Sequence, residues 1–341
     1  MCLSKEVLFA LNGNEEASKS YIMTVTGALD IYKMGITLAH EHIITDFAGA
    51  EINLAQIYNN SEAADKLLPF LRTLKESGAR TLVECTPAYL GRNVLLLKQL
   101  SKITGLYILT NTGYYAAVGQ KYLPKHAFTE GAEQIAARWL KEWKEGIEGT
   151  GIRPGFIKLG VDNGPLTEIE KKLVRAAALT HLQSGLKIFI HTGDPLAAKE
   201  EADLLNSQGV GYEAFIWVHA QNDTSGDTQV ELAKKGCWIS LDGVNAQDNA
   251  LIKYAGFITR LKNEGLMHKL LISHDDGFAV EKVDGNIAFS PYKNGNTKPY
   301  NSIFTKLKPA LLKAGVSSEE FDMLVIDNPG KALQIKICRA S

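Results

Sequence analysis

Short apolar, β-branched runs recur along the chain, and longer stretches separate them in which apolar positions return every three or four residues. The runs are Gly35–Ile43, Arg80–Thr86, Leu106–Gly113, Gly155–Gly160, Leu186–Gly193, Ala214–Ala220, Cys237–Gly243 and Lys269–Asp275. Near-continuous apolarity over so few residues predicts strands buried on both faces. The segments between them, such as Ser61–Ser77, Gly131–Gly149, Thr167–Gln183, Pro195–Ser207 and Gln247–Asn263, predict amphipathic helices. Strands alternating with helices imply an α/β fold with a parallel sheet, and eight such units in about 240 residues close into a (β/α)8, or TIM, barrel. After the last strand, residues 276–299 show no obvious pattern. Tyr300–Ala314 and Ser317–Lys336 then predict helices, the second opening with a capping box at Ser317 and Glu320. No repeat, low-complexity tract or linker divides the chain. A single domain over residues 22–341 is expected, after an N-terminal extension of residues 1–21.

In such barrels the chemistry sits at the C-terminal ends of the strands, where the βα loops meet. The first strand ends in "LAHEHI", the fifth in "FIHTG" at His191, the sixth in "WVHA" at His219 and the eighth in "LLISHDDG". Five of the eight histidines therefore fall on one predicted face: His40, His42, His191, His219 and His274. His40 and His42, two apart on a strand, face the same way, with Glu41 facing the other. A lone pair of this kind would read as core histidines satisfied by carbonyls; the rest of the constellation argues for ligands. The fourth strand, "GFIKLG", adds Lys158 inside a run too apolar to expose an ammonium.

Composition narrows the partners. The 341 residues are 45% hydrophobic and 22% charged with a net charge of −1, and no block of Lys and Arg alternates with aromatics. A nucleic acid or an anionic membrane is not expected, and a small-molecule substrate is. Cys2, Cys85, Cys237 and Cys338 lie far apart without CxxC spacing, which argues against a thiolate zinc site and a disulfide framework. The early apolar run Val7–Leu11 is too short for a signal-peptide core, so a cytoplasmic location is expected. Cys2 directly after Met1 would also begin a lipid-anchored exported form whose signal had been removed.

Four imidazoles, a carboxylate and a lysine exceed what one tetrahedral ion uses and suit two divalent ions sharing a bridge. An ammonium beside two dications is disfavoured, so Lys158 must be neutral or converted. Neutral lysine takes up carbon dioxide to give a carbamate whose two oxygens each hold one metal. The sequence predicts that species, N6-carboxylysine, at position 158, with Gly160 on the same face leaving room for it. Imidazole, carboxylate and carbamate suit Zn first, and also Mn, Co or Fe.

Taken in order, "TVTGALDIYKMGITLAHEHI", "GIEGTGIRPGFIKLG", "KIFIHTGD", "WVHAQND", "WISLDG", "LISHDDGF" and "DNPGKAL" resemble the phosphotriesterase family of the amidohydrolase superfamily, from about Ile22 to the C-terminus. The resemblance implies that the more buried metal takes His40, His42 and Asp275 and the more exposed one His191 and His219, with carboxylated Lys158 between them. Some relatives use a glutamate bridge instead. It also implies a homodimer and a hydrolytic mechanism in which a metal-bridging hydroxide attacks the substrate. Two metals about 3.5–4 Å apart lower the pKa of the bridging water. Asp275 then orients the hydroxide and carries its proton toward the leaving group. Asp276 and His274 are expected on the opposite face of the strand from Asp275.

The loops say less about the substrate. Tyr114 and Tyr115 follow the third strand, where relatives place aromatics around the leaving group. Acyl-homoserine lactonase relatives often carry an arginine just after the seventh strand, where this chain has Gly243 after Asp242. The last loop is polar and carries Lys282, Lys293 and Lys298. A polar ester, lactone or amide is the expected substrate, with weak phosphotriesterase activity. The alternatives are a true phosphotriesterase and a non-catalytic ligand-binding barrel. Trp139 and Trp143 with Ile135 and Ile147 make a helical apolar stripe that reads as core, and Cys85 reads as a small buried hydrophobe.

Overall fold

The computed structural model describes residues 20–52, 58–296 and 298–336. Strands β1 (Tyr21–Thr24) and β2 (Gly27–Asp30) form an antiparallel hairpin. A parallel arc of β3 (Thr37–Glu41), β4 (Thr81–Glu84) and β5 (Tyr107–Leu109) follows. A second arc runs from β6 (Asn111–Thr112) through β7 (Phe156–Gly160), β8 (Ile188–His191), β9 (Phe215–Val218) and β10 (Trp238–Leu241) to β11 (Leu270–Ile272). β5 and β6 are the two halves of the third predicted strand; the first pairs with β4 and the second with β7, which joins the arcs. On the far side the His40 N–H donates to Ser273 Oγ (2.9 Å), the Asp275 N–H to His40 O (3.2 Å) and the His42 N–H to Asp276 O (2.7 Å). The eight predicted strands thus close as a (β/α)8 barrel.

Each strand buries both faces, and the side chains sort accordingly. Ala39, Val83, Cys85, Leu109, Phe156, Phe189, Ile216, Val218, Trp238 and Leu271 fill the barrel interior. Their neighbours Leu38, Leu82, Ile108, Ile157, Ile188, Trp217, Ile239 and Leu270 pack outward under the helices. The predicted helices are present as Asn60–Glu76, Ala132–Glu145, Glu168–Ser184, Pro195–Ser207 and Asp248–Asn263, with further ones that include Val94–Thr104 and Asp227–Lys235. Ile135, Trp139, Trp143 and Ile147 lie in the outer core, as their spacing predicts. Cys85 and Cys237 are buried free thiols; Cys2, Cys338 and most of the N-terminal extension lie outside the described residues. The Ser317–Glu320 capping box is formed, with the Ser317 N–H donating to Glu320 Oε2 (2.7 Å) and the Glu320 N–H to Ser317 Oγ (3.2 Å). Among the described residues no helix is long and apolar enough to cross a membrane.

Residues 276–299 are more ordered than their composition suggests. β12 (Phe278–Val283) and β13 (Asn286–Pro291) pair as an antiparallel hairpin. Its turn is Asp284–Gly285, both at positive φ (50° and 84°), the Asp-Gly signal for a two-residue hairpin turn. Phe278 and Phe289 anchor it through edge contacts with Phe70 and Tyr58, ring centroids 4.8 and 5.4 Å apart.

Glu41 fastens the barrel seam. Its fully buried carboxylate accepts from Ser273 Oγ (2.7 Å), the His274 N–H (3.0 Å) and His274 Nδ1 (2.7 Å) on one oxygen, and from the Asp276 N–H (2.8 Å) on the other. It is satisfied by the end of the eighth strand. Glu41→Gln turns an amide toward these donors and is expected to lower stability by roughly 3–5 kcal/mol. A lowered urea midpoint with an unchanged slope checks this.

Candidate metal centre

Strand alternation carries some of the candidate residues inward and local backbone departures carry the others. His191 follows Phe189 by two, and Lys158 follows Phe156 by two, so both share the barrel-interior face. In β3 the register with β4 shifts between Leu38 and Glu41. That irregularity lets His40 join Ala39 on the inside, with His42 beside it. His219 directly follows inward-facing Val218 and by alternation would face out; its left-handed φ of 65° turns the ring back in. Asp275 is likewise left-handed, at φ 59°. Non-glycine residues in this region cluster at functional sites.

The structure brings His40, His42, His219 and Asp275 together. Asp275 Oδ1 lies 3.1 Å from His42 Nε2 and 3.3 Å from His40 Nε2, and Oδ2 lies 3.9 Å from His219 Nε2. The His191 ring sits edge-on to His219 with centroids 4.3 Å apart. Lys158 is 2% exposed, and its charge acts on His40, His191 and His219. As predicted, Asp276 and His274 face away, toward Glu41.

Each of three rings is held by its other nitrogen. Asp242, fully buried at the end of β10, accepts from His219 Nδ1 (2.7 Å) and His40 Nδ1 (3.1 Å), while His42 Nδ1 pairs with Thr86 Oγ1 (2.8 Å). The composition of "WISLDG" marked Asp242 only by its place at a strand end; its role needed the barrel to close around it.

Electrostatics favour cation binding. Burial, reinforced by Lys158, pushes His40 down to about 4, so the imidazole is neutral with its proton on the nitrogen facing Asp242. Its Nε2 lone pair then faces the Asp275 carboxylate, two acceptors with no proton between them. Burial, then His219 and Lys158, hold His191 well below its ordinary range. Burial works against charge on Asp275, but His40, His42 and His219 together keep its pKa below that of an ordinary aspartate. Lys158 is pulled down by burial, only partly offset by nearby thiol and carboxylates. No acceptor among the described residues hydrogen-bonds its Nζ. Burial also works against charge on His219, but Asp242 and then Asp275 raise its pKa. Lone pairs on His40 and His191, an ionised carboxylate and a lysine biased toward the neutral amine fit a divalent metal site.

Two expectations change. Gly160 does not simply leave open space: a Cβ there would overlap the ring of Tyr115, which occupies that position and lies 5.0 Å from the His191 ring. Tyr114 turns away from the centre, hydrogen-bonding His126 Nε2 (2.9 Å) and packing on Trp139. Only Tyr115 of the pair reaches the candidate site. Lys282, Lys293 and Lys298 are exposed to solvent.

The sequence model of the phosphotriesterase family matches residues 20–333. This chain belongs to the phosphotriesterase family. Membership makes it a metal-dependent hydrolase by lineage, and its relatives carry several activities. The chain is 26% identical over 300 residues to an aryldialkylphosphatase of Saccharolobus solfataricus, covering 87% of this chain and 94% of that one. An N-acetyltaurine hydrolase of Tetraodon nigroviridis is 25% identical over 358 residues, covering 92% and 98%. A crystal structure of a mutant phosphotriesterase-like lactonase from Deinococcus radiodurans superposes with a TM-score of 0.80 at 28% identity, covering 92% of this chain and 99% of that one. Chains similar to this one over most of their length therefore carry names of different activities.

Proposed function

We propose that the chain hydrolyses a polar ester, lactone or amide at a binuclear centre held by His40, His42, His191, His219, Asp275 and N6-carboxylated Lys158. The convergence of the His40, His42 and His219 Nε2 atoms on Asp275, beside buried Lys158, carries this reading. Two divalent ions, Zn first and otherwise Mn, Co or Fe, would supply the Lewis acidity that makes water nucleophilic at neutral pH and stabilises charge developing on the substrate oxygen. The protein's own contributions follow from its geometry. Asp242 and Thr86 fix the ring orientations, so the inward nitrogens need no reorganisation when loaded. Burial holds Lys158 toward the neutral amine that attacks carbon dioxide; the N–C bond forms, and the displaced proton leaves to solvent. Asp275, ionised and partly open to the mouth, takes the proton of the attacking water and delivers it to the leaving group.

The acyl preference rests on the mouth. Asn245, Gln247, Asn294 and Asn296 gather where the loops after β10 and β11 meet, with Asn296 Nδ2 donating to Val244 O (3.2 Å) and Asn245 beside Gly295. Asn294 and Asn296 are spent on Asp276 and Val244, which leaves the Gln247 amide of this cluster to a hydrogen-bonding substrate, a partner that a polar acyl compound offers better than a hydrophobic triester. Metal-analysed protein assayed against lactones, carboxylic esters, N-acyl amino acids and phosphotriesters tests this. Acyl substrates are expected to turn over fastest; a lead for phosphotriesters would make it a true phosphotriesterase. Silence on the whole panel with both metals bound would leave a ligand-binding barrel.

Asp242→Asn offers an amide where both rings need an acceptor. Metal affinity is expected to fall about 10–100-fold, measured by competition with a chelator of known affinity.

A further inference from the structure

The end of β10 holds a hydroxyl that the proposed chemistry leaves unused. Tyr254, on the helix Asp248–Asn263, is 4% exposed. Its phenol oxygen sits over Gly243: a Cβ built there would overlap that oxygen and come within 3.1 Å of Gln221 Nε2. Only glycine leaves room for the hydroxyl to reach past the strand. The Gly243 backbone lies beside the phenol oxygen. None of the described residues accepts the phenol's own hydrogen.

The hydroxyl lies beside the residues that support the candidate site. Gln221, which borders the same space, donates to Asp242 Oδ1 (3.2 Å), and that oxygen holds His219. Burial first, and then the charges of Asp242 and Asp275, oppose ionisation of Tyr254. The phenol is therefore a hydroxyl with no protein acceptor among the described residues, carried on a buried ring and next to Gln221, which bonds the Asp242 that holds His219. A hydroxyl without a protein acceptor gives its hydrogen to water, and an acceptor on a bound substrate can take that water's place.

We propose that Tyr254 is a specificity-determining residue whose hydroxyl donates to an oxygen acceptor carried by the substrate outside its scissile group. The inference rests on the hydrolase reading for the scissile bond and adds the feature that selects among acyl substrates. A site built to hydrogen-bond a substrate group discriminates strongly against analogues lacking it, because its own donor is then stranded.

Two substrate pairs differ only in such an acceptor: N-acetyltaurine against N-ethylacetamide, and 4-nitrophenyl hydrogen glutarate against 4-nitrophenyl valerate. Tyr254→Phe keeps the ring and its packing; Gly243→Ala displaces the hydroxyl with a methyl group. In both variants the ratio of kcat/KM between the members of at least one pair is expected to fall about tenfold or more, chiefly through KM. Calorimetric binding of taurine and of glutarate to metal-loaded wild type and Tyr254→Phe reads the same contact without turnover and should weaken by a similar factor. A fall in either measure supports the assignment. Unchanged ratios together with unchanged binding, or no binding to wild type, overturn it. Wild-type protein that hydrolyses none of the four compounds overturns the acyl-hydrolase reading instead, and calorimetry still decides Tyr254.

Discussion

Replacing Lys158 with alanine is expected to abolish turnover and to lower the bound metal below two ions per chain. The argument begins with burial. At 2% exposure, with no hydrogen-bond acceptor on Nζ among the described residues, Lys158 is an isolated amine inside the barrel. Burial lowers its pKa, and the neutral amine that results is the form that takes up carbon dioxide. A carbamate there would put two oxygens among the imidazoles; alanine puts none. Acetate or propionate should partly restore both activity and metal content in Lys158→Ala by entering the vacated space. Lys158→Arg should not be rescued, because its side chain fills that space and keeps its charge. Two bound metals and near-normal turnover in Lys158→Ala would eliminate the carbamate.

Asp275→Asn should reduce kcat far more than it raises KM. The carboxylate is held ionised by His40, His42 and His219 despite its burial, and an amide can neither accept a proton nor offer the same ligand charge. Acid–base assistance is typically worth about 10²–10⁴-fold, so the loss at matched metal content should lie in or above that range. Asp276→Asn is the comparison, and the structure changes what to expect of it. Its carboxylate accepts from Asn296 Nδ2 (2.9 Å), Asn294 Nδ2 (2.5 Å) and the Tyr300 N–H (2.6 Å), fixing the last loop to the barrel. Asp276→Asn should therefore lower the melting temperature while leaving kcat per loaded site within about tenfold of wild type, the smallest step that acid–base loss would produce being larger. A larger kcat loss in Asp276→Asn than in Asp275→Asn would move the proton carrier to Asp276.

Much of the barrel was legible because parallel strands buried on both faces have to be short continuous apolar runs, and each such run is a strand here. The candidate residues were legible because a barrel collects function at one end of every strand, so position along a run stands in for position in space. Periodicity also put His274 and Asp276 on the face opposite Asp275, where the structure has them.

What the sequence left open depended on contacts between segments far apart in the chain. Asp242 became the support of two imidazoles only when β10 was brought beside His40, 202 residues earlier in the chain. His219 faces inward against the alternation of its own strand, through a left-handed backbone that no local pattern announces. Gly160, read as room for a larger lysine, instead admits a tyrosine ring from the preceding βα loop. The β12–β13 hairpin was marked by Asp284–Gly285, but its alternation is blurred because one half of it lies in solvent. Local physics determined which segments become strands and which of their ends carry chemistry. Tertiary closure decided which side chains orient the site, because orientation comes from partners that the chain order does not place side by side.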